Sequence, residues 1–381
     1  NIQKNNITLQ SDLMTPEALW GMGRIGASST SPDGKQIVYQ VSYYSVEQNK
    51  SHTMLFVQNV NVKNRVQLTQ DTKNESDAVW IEGGRKIAFL RGGEIWTMTP
   101  EGKDRRQLTK TNGSIEGFVF SPDGSKVIMI KSIPYHGTIR ETPVDLPKAT
   151  GRLITDMNYR HWDHYVTEIM HPFIADVTEN SITTGTDIMA GEPFEAPVAP
   201  FGGIEQIAWS PDSKFIAYTS RKKEGVQYAI STDTDIYLYE VSSGKTTNLC
   251  KPEGYVAPQV DATKSLKHQQ VNQQQGDMQV GYDTNPKFSP DGKYIAWQSM
   301  KRNGYESDRN RLCVYELATG RKTYVTESFD SNVDDYTWSA DSKSLYFIGV
   351  WHATVNVYQT NLKGAVRQLT KGDHNYVSIA L

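Results

Sequence analysis

The chain has 381 residues, with 40 Lys and Arg against 43 Asp and Glu, a formal net charge of −3. Such a length can bury a large core, and a mixed, near-neutral charge leaves no basic field for nucleic acid. Charged residues interrupt the sequence throughout, and no run of about 18 apolar residues offers a membrane-spanning helix. Two cysteines, Cys250 and Cys313, argue against a disulfide framework and favour free thiols over a single bridge.

The opening stretch, residues 1–10, is polar and reads as a disordered or extended arm. The start at Asn1 without Met carries the expectation of a processed, periplasmic or secreted protein. A short helix follows, with Thr15 as N-cap, Pro16 in the first turn and Glu17 at the positive helix end. Arm and helix together occupy residues 1–26.

From residue 27 onward one phrase keeps returning. Ser31-Pro32-Asp33-Gly34 is followed by Ser121-Pro122-Asp123-Gly124, Ser210-Pro211-Asp212-Ser213, Ser289-Pro290-Asp291-Gly292 and Ser339-Ala340-Asp341-Ser342, with a degraded copy at Ile81-Glu82-Gly83-Gly84. Pro presets φ, Ser and Asp bond the local backbone, and Gly accepts a positive φ, so each copy is a tight turn. Aromatic residues precede the later copies (Trp80, Phe120, Trp209, Phe288, Trp338), and alternating apolar runs follow each one. Those flanks make the turn a β-hairpin. A second signature closes most units: Gln67-Leu68-Thr69, Gln107-Leu108-Thr109, Asn248-Leu249-Cys250, Val325-Thr326 and Gln368-Leu369-Thr370. One unit therefore holds about four short antiparallel strands, which is a propeller blade of WD40/TolB-like type.

The copies start at 31, 81, 121, 210, 289 and 339, and the gaps of 89 and 79 residues leave room for insertions at about 131–167 and 251–283. Six units are readable, and the tail 371–381 reads as the opening strand of an incomplete seventh. The expectation is an all-β propeller over residues 27–381, seven-bladed, with six or eight blades also compatible.

Two stretches interrupt the repeat with chemistry. Tyr159-Arg160-His161-Trp162-Asp163-His164-Tyr165 admits three readings: a packed corner, a ligand or domain contact, or a metal seed at His161-x-x-His164 that lacks further ligands at suitable spacing. The stretch Arg302 to Arg311 packs three Arg, a Tyr and two carboxylates into a hairpin. It is either a salt-laced solvated turn or a recognition loop for a zwitterionic peptide end. The second insertion, residues 251–283, is Gln-rich and carries no evident chemistry. Gly-x-Ser-x-Gly, phosphate-loop and His-Glu-x-x-His motifs are all absent from the sequence, so no catalytic residue, metal ligand or cofactor is nominated.

The turn phrases followed by Ile-Ala-Tyr or Ile-Ala-Trp resemble the propellers of the prolyl oligopeptidase family and of TolB-like proteins. Pro16-Glu17-Ala18-Leu19-Trp20 with Gly23-Arg24-Ile25, the 159–164 stretch, and Asp283 to Pro286 through Gly304 to Arg309 are similar to its dipeptidyl-peptidase 5-like and acylaminoacyl-peptidase-like branch. The resemblance implies the non-catalytic, N-terminal propeller of a serine peptidase. It would gate entry of short peptides and help hold their free amino terminus beside a C-terminal α/β-hydrolase domain of the same polypeptide. A homodimer of the full-length protein is compatible with this. The residues implied in substrate binding are Glu306, Asp308, Arg309 and Arg302, with His161, Trp162 and Asp163 behind them. The competing expectations are a TolB-like periplasmic interaction propeller without activity, and a propeller glycosidase or lactonase.

Overall fold

The computed structural model describes residues 2, 8, 11–62, 64–135, 139–140, 146–151, 153–154, 166–259, 261, 263–265 and 278–381, with backbone alone at 139–140 and 153–154. The chain divides into two compact units. The first comprises Asn1–Phe120, Gly124–Met129 and Ala175–Gly185; the second comprises Ser121–Asp123, Ile130–Ile174 and Thr186–Leu381.

Six four-stranded antiparallel sheets appear among the described residues. In the first unit, Arg24–Thr30, Gln36–Ser45, Lys50–Asn59 and Val66–Gln67 pair in sequence order, as do Glu75–Ile81, Lys86–Arg91, Glu94–Met98 and Arg106–Gln107. The third sheet (Ile115–Phe120, Lys126–Pro134, Glu168–Asp176, Thr186–Asp187) has strands in both units. The second unit holds the fourth, fifth and sixth sheets, whose second strands are Phe215–Ser220, Tyr294–Ser299 and Ser344–Trp351. This is an all-β propeller of six blades.

The repeated phrase is explained by its hydrogen bonds. Each Ser Oγ donates to the Asp two residues on: Ser31 to Asp33 at 2.6 Å, and Ser121, Ser210, Ser289 and Ser339 to their Asp at 2.7 Å. The same oxygen accepts the N–H five residues on, from Gln36, Phe215, Tyr294 and Ser344, at 2.9–3.0 Å. Gly34, Gly124 and Gly292 take φ near +70°, and Ser213 and Ser342 take +61° without the benefit of glycine. The aromatic before the turn reaches across to the preceding sheet: Trp80 Nε1 donates to Ser29 O and Trp338 Nε1 to Lys287 O, both at 2.9 Å.

The closing signature has an equally specific task. Its hydroxyl accepts an N–H of the third strand: Thr69 from Leu55, Thr109 from Ile95, Thr326 from Leu312 and Thr370 from Val357, all at 2.9 Å. Cys250 stands in that slot in the fourth sheet and accepts from Ile236 at 3.3 Å. Cys250 and Cys313 are buried thiols, not a disulfide.

The blade count corrects the seven-bladed expectation. The tail 371–381 does not open a new sheet. It forms one parallel bridge, Asn375 to Val355, with Val355 N–H donating to His374 O at 2.8 Å, and Ile379 N–H then bonds the Asp335 carboxylate at 3.0 Å. Among the described residues the two wide gaps contribute no further four-stranded sheet. The first lies between the second and third strands of the third sheet; the second precedes Asp283–Phe288, the first strand of the fifth.

Candidate functional site

Three cavities in the second unit collect ionisable groups. The most mixed in chemistry is about 550 Å³, walled by Phe201, Glu205, Arg221, Tyr228, Tyr282 and Glu306, among others. Two loops build it. The link from the third to the fourth sheet closes as a tight turn, with Gly202 N–H on Val198 O at 2.9 Å and Val198 N–H on the buried Gln206 Oε1 at 2.8 Å. Gly203 N–H then bonds Glu205 Oε1 at 2.8 Å, leaving the exposed carboxylate at the cavity rim. The second loop is the hairpin after the fifth sheet's second strand. Buried Asn303 fastens it by accepting Ser231 Oγ–H at 3.0 Å and Thr232 N–H at 2.9 Å, while Gly304 N–H returns to Thr232 Oγ1 at 2.8 Å. Glu306 is thereby carried to Tyr282, whose hydroxyl donates to Glu306 Oε1 at 3.3 Å.

The cavity floor is a stacked set. The Arg221 guanidinium lies 4.6 Å from the Tyr228 ring centre and 5.7 Å from that of Tyr282, and Nη1 donates to Tyr228 O at 3.1 Å. Its Nε is buried without a hydrogen-bond partner. The Tyr228 hydroxyl donates to Glu195, a fully buried carboxylate. Burial raises the Tyr282 pKa, with Arg221 opposing, which keeps the phenol a hydrogen-bond donor. Two carboxylates against one guanidinium leave a local excess of negative charge, complementary to an ammonium ion. The neighbouring guanidinium and phenol suit carbonyl oxygens.

Of the residues the sequence nominated, Glu306 lines this cavity. Arg302, Asp308 and Arg309 line another, of about 370 Å³, with Lys301, Arg311 and Glu327. There they are engaged with their neighbours. Arg302 N–H donates to Asp308 Oδ2 and its Nε to Oδ1, both at 2.9 Å. Arg309 Nη2 reaches Glu327 at 2.7 Å, and Arg311 Nη1 reaches the same carboxylate at 2.8 Å. Burial works to raise the Asp308 pKa, yet the hydrogen bonds from Arg302 outweigh it and hold the carboxyl below its ordinary value. His161, Trp162 and Asp163 lie outside the described residues. Glu205, Phe201 and Arg221 were missed by sequence reading. The one available signal was Phe201 thrust before Gly202-Gly203 in a linking segment.

A third cavity, about 410 Å³, borders a buried ion network. Lys251 Nζ lies 3.0 Å from Asp233, 2.6 Å from Asp235 and 2.8 Å from Gln279 O, and Lys223 also meets Asp233 at 3.2 Å. Desolvation would lower the Lys251 pKa, but Asp235 and Asp233 prevail and hold it well above its usual value. Nearby Asp283 accepts Trp297 Nε1–H at 2.9 Å, and burial, opposed by Lys251, raises its pKa to about 6. Asp235, Cys250 and Asp283 bring ligand atoms within 4.8 Å of one another, a spacing that could hold a metal. The Lys251 ammonium beside Asp235 already supplies a compensating cation, and burial raises the Cys250 pKa far above the range where a thiolate forms readily.

No protein-family model matches the chain. It is 45% identical over 97% of its length to dipeptidyl-peptidase 5 of Porphyromonas gingivalis, and 43% identical over 98% to that of Porphyromonas endodontalis, covering 51% of each. Acylaminoacyl peptidase of Pyrococcus horikoshii superimposes with TM-score 0.63 at 16% identity, over 95% of this chain and 48% of that one. The β-propeller domain of the Trilobed protease from Pyrococcus furiosus gives 0.55 at 16%, over 94% of this chain and 87% of that one. These two likenesses are of fold. The chain is thus a homologue of the dipeptidyl-peptidases 5 with the propeller fold of the acylaminoacyl peptidases, and it spans about half the length of the curated relatives it matches.

Proposed function

We propose that this propeller is the non-catalytic, substrate-recognising part of a serine exopeptidase that releases dipeptides from short peptides. A hydrolase domain of the same polypeptide supplies the nucleophile, and the propeller limits entry to short chains. The observation that carries this reading is the placing of Glu205 and Glu306 on one cavity with Tyr282 and Arg221. Two carboxylates with a negative excess suit the α-ammonium of a peptide, and a guanidinium stacked on two tyrosines suits the first carbonyl oxygens. Homology to dipeptidyl-peptidases supports the same assignment.

The test is substrate turnover by the full-length protein. It should release dipeptides from unblocked peptides, and Glu306→Gln should lower kcat/KM mainly through KM. A charge-assisted hydrogen bond contributes about 1.5–3 kcal/mol, roughly a 10- to 150-fold effect. Full activity in both Glu306→Gln and Glu205→Gln would remove the cavity from the reading.

A further inference from the structure

The hairpin 302–309 carries charged residues that the candidate site leaves without a task. Arg302, Asp308 and Arg309 line the 370 Å³ cavity, while Glu306, on the same hairpin, lines the 550 Å³ one. One leg of the hairpin is tied outward by Asn303, to Ser231 and Thr232, and by Gly304 N–H, to Thr232 Oγ1 at 2.8 Å. The other leg is tied outward by Arg309, with Nη1 on Phe329 O at 3.1 Å and Nη2 on Glu327 at 2.7 Å. Between these anchors the two legs are joined to each other. The Asp308 carboxylate accepts the backbone N–H and the Nε of Arg302, both at 2.9 Å, and Nη2 of the same residue. Asp308 N–H closes a turn on Tyr305 O at 3.1 Å, and the Arg302 guanidinium lies 4.1 Å from the Tyr305 ring centre. Asp308 is 8% exposed. A carboxylate so far buried is costly to hold without partners. Here three N–H donors from one residue meet it, in the charge-assisted geometry that fixes direction as well as distance. Glu306 lies inside the loop closed in this way, two residues before Asp308.

We infer that Arg302 and Asp308 form a clasp that holds Glu306 in place, so that both are positioning residues for the peptide amine and not groups that touch it. This rests on the amine-binding reading above. Glu306 is exposed and is met by a 3.3 Å hydrogen bond from Tyr282. An exposed, flexible side chain with so long a tether takes its place from the backbone beneath it. A closed loop has met much of the ordering cost before the peptide arrives, and an open one meets it at each binding event. With the clasp open, Glu306 is in its binding position only part of the time, and the apparent affinity falls by that fraction. The same arrangement gives the crowded charges of the hairpin a use: the pair on the 370 Å³ cavity sets the carboxylate on the 550 Å³ one.

The experiment uses the full-length protein and an unblocked fluorogenic dipeptidyl amide. It reads kcat and KM for wild type, Asp308→Asn, Glu306→Gln and the double variant. Asp308→Asn should raise KM about 10-fold, the effect of a competent fraction reduced to about a tenth, and leave kcat within about twofold. The double variant is the decisive readout. Once Glu306 has lost its charge its placing no longer matters, so Asp308→Asn should add less than about twofold to the KM of Glu306→Gln. A purely structural role for Asp308 would instead multiply the two effects. Arg302→Met opens the clasp from its exposed partner, whose side chain is 48% exposed, and should match Asp308→Asn. It carries the test if Asp308→Asn does not fold, which far-ultraviolet circular dichroism and the midpoint of thermal unfolding check. An unchanged KM in the clasp variants, or effects that multiply in the double variant, overturns the inference and leaves the amine site standing. A silent Glu306→Gln removes the amine-binding reading, and the inference with it.

Discussion

The Ser-Pro-Asp turns and the two loops that wall the 550 Å³ cavity are both surface connections, yet they differ in where their polar groups go. In the turns the Ser hydroxyl, the Asp carboxylate and the following N–H groups satisfy one another within six residues. Asp33, Asp212, Asp291 and Asp341 all titrate below the ordinary aspartate value for that reason; the Ser hydrogen bond leads at Asp33, Asp212 and Asp341, and at Asp291 it opposes burial. In the loops, hydrogen bonds fix the backbone and leave side chains outward. Asn303 and Gln206 are buried to hold the frame, while Glu205, Glu306 and Phe201 remain exposed. Local closure marks the turns; a buried frame presenting open groups marks the candidate site.

The buried ion network gives the largest expected departure from that contrast. Lys251→Met leaves Asp233 and Asp235 buried with one fewer cation, and should cost roughly 3–5 kcal/mol in urea unfolding. A loss below about 1 kcal/mol would mean that the network is wetter than its geometry indicates.

Asp283 predicts a pH dependence of known sign. Its folded pKa, about 6, lies above the unfolded value of 3.8, so the native state holds the extra proton between them. Its contribution to stability is present below about pH 4 and is lost as pH rises through about 6. The slope is at most about 1.4 kcal/mol per pH unit. Asp283→Asn should flatten that part of the stability–pH curve, and an unchanged slope would assign it to another group.

Gly202→Ala tests the frame of the site. The added methyl must displace the Val198 carbonyl, a cost of about 1–3 kcal/mol. It should also raise KM for an unblocked dipeptidyl amide, because Glu205 is held to the same turn through Gly203 N–H. The smallest effect belongs to the scaffold. Ser210→Ala removes the acceptor for Phe215 N–H and the donor to Asp212, worth about 1 kcal/mol. It should leave KM unchanged; a change in KM would blur the distinction between turn and site.

The scaffold was legible in the sequence because its chemistry is local. Ser31 to Gly34 and its copies spell out a turn in four letters, and Thr69, Thr109, Thr326 and Thr370 mark the ends of four blades, 13 or 14 residues after the N–H that each accepts. Cys250 passed as a variant of that signature, and the structure puts it in the same slot. The tail misled because Tyr376 to Leu381 alternates like a strand, while its partners on Val355 and Asp335 were invisible to pattern. The candidate site was half legible. The crowded 302–309 hairpin drew attention to Glu306, but pairing of Arg302 with Asp308 and of Arg309 with Glu327 could not be told from open charge. Glu205 and Phe201 were missed because their link draws attention only through the cavity it shares with Tyr282 and Glu306, residues remote in sequence.

The most direct measurement of the central claim compares a dipeptidyl amide with its N-acetylated form on the full-length protein, wild type against Glu306→Gln. The account predicts that acetylation costs the wild type at least about 10-fold in kcat/KM, and that the variant has lost most of this discrimination. A wild type indifferent to acetylation, or a variant that still discriminates fully, would contradict it.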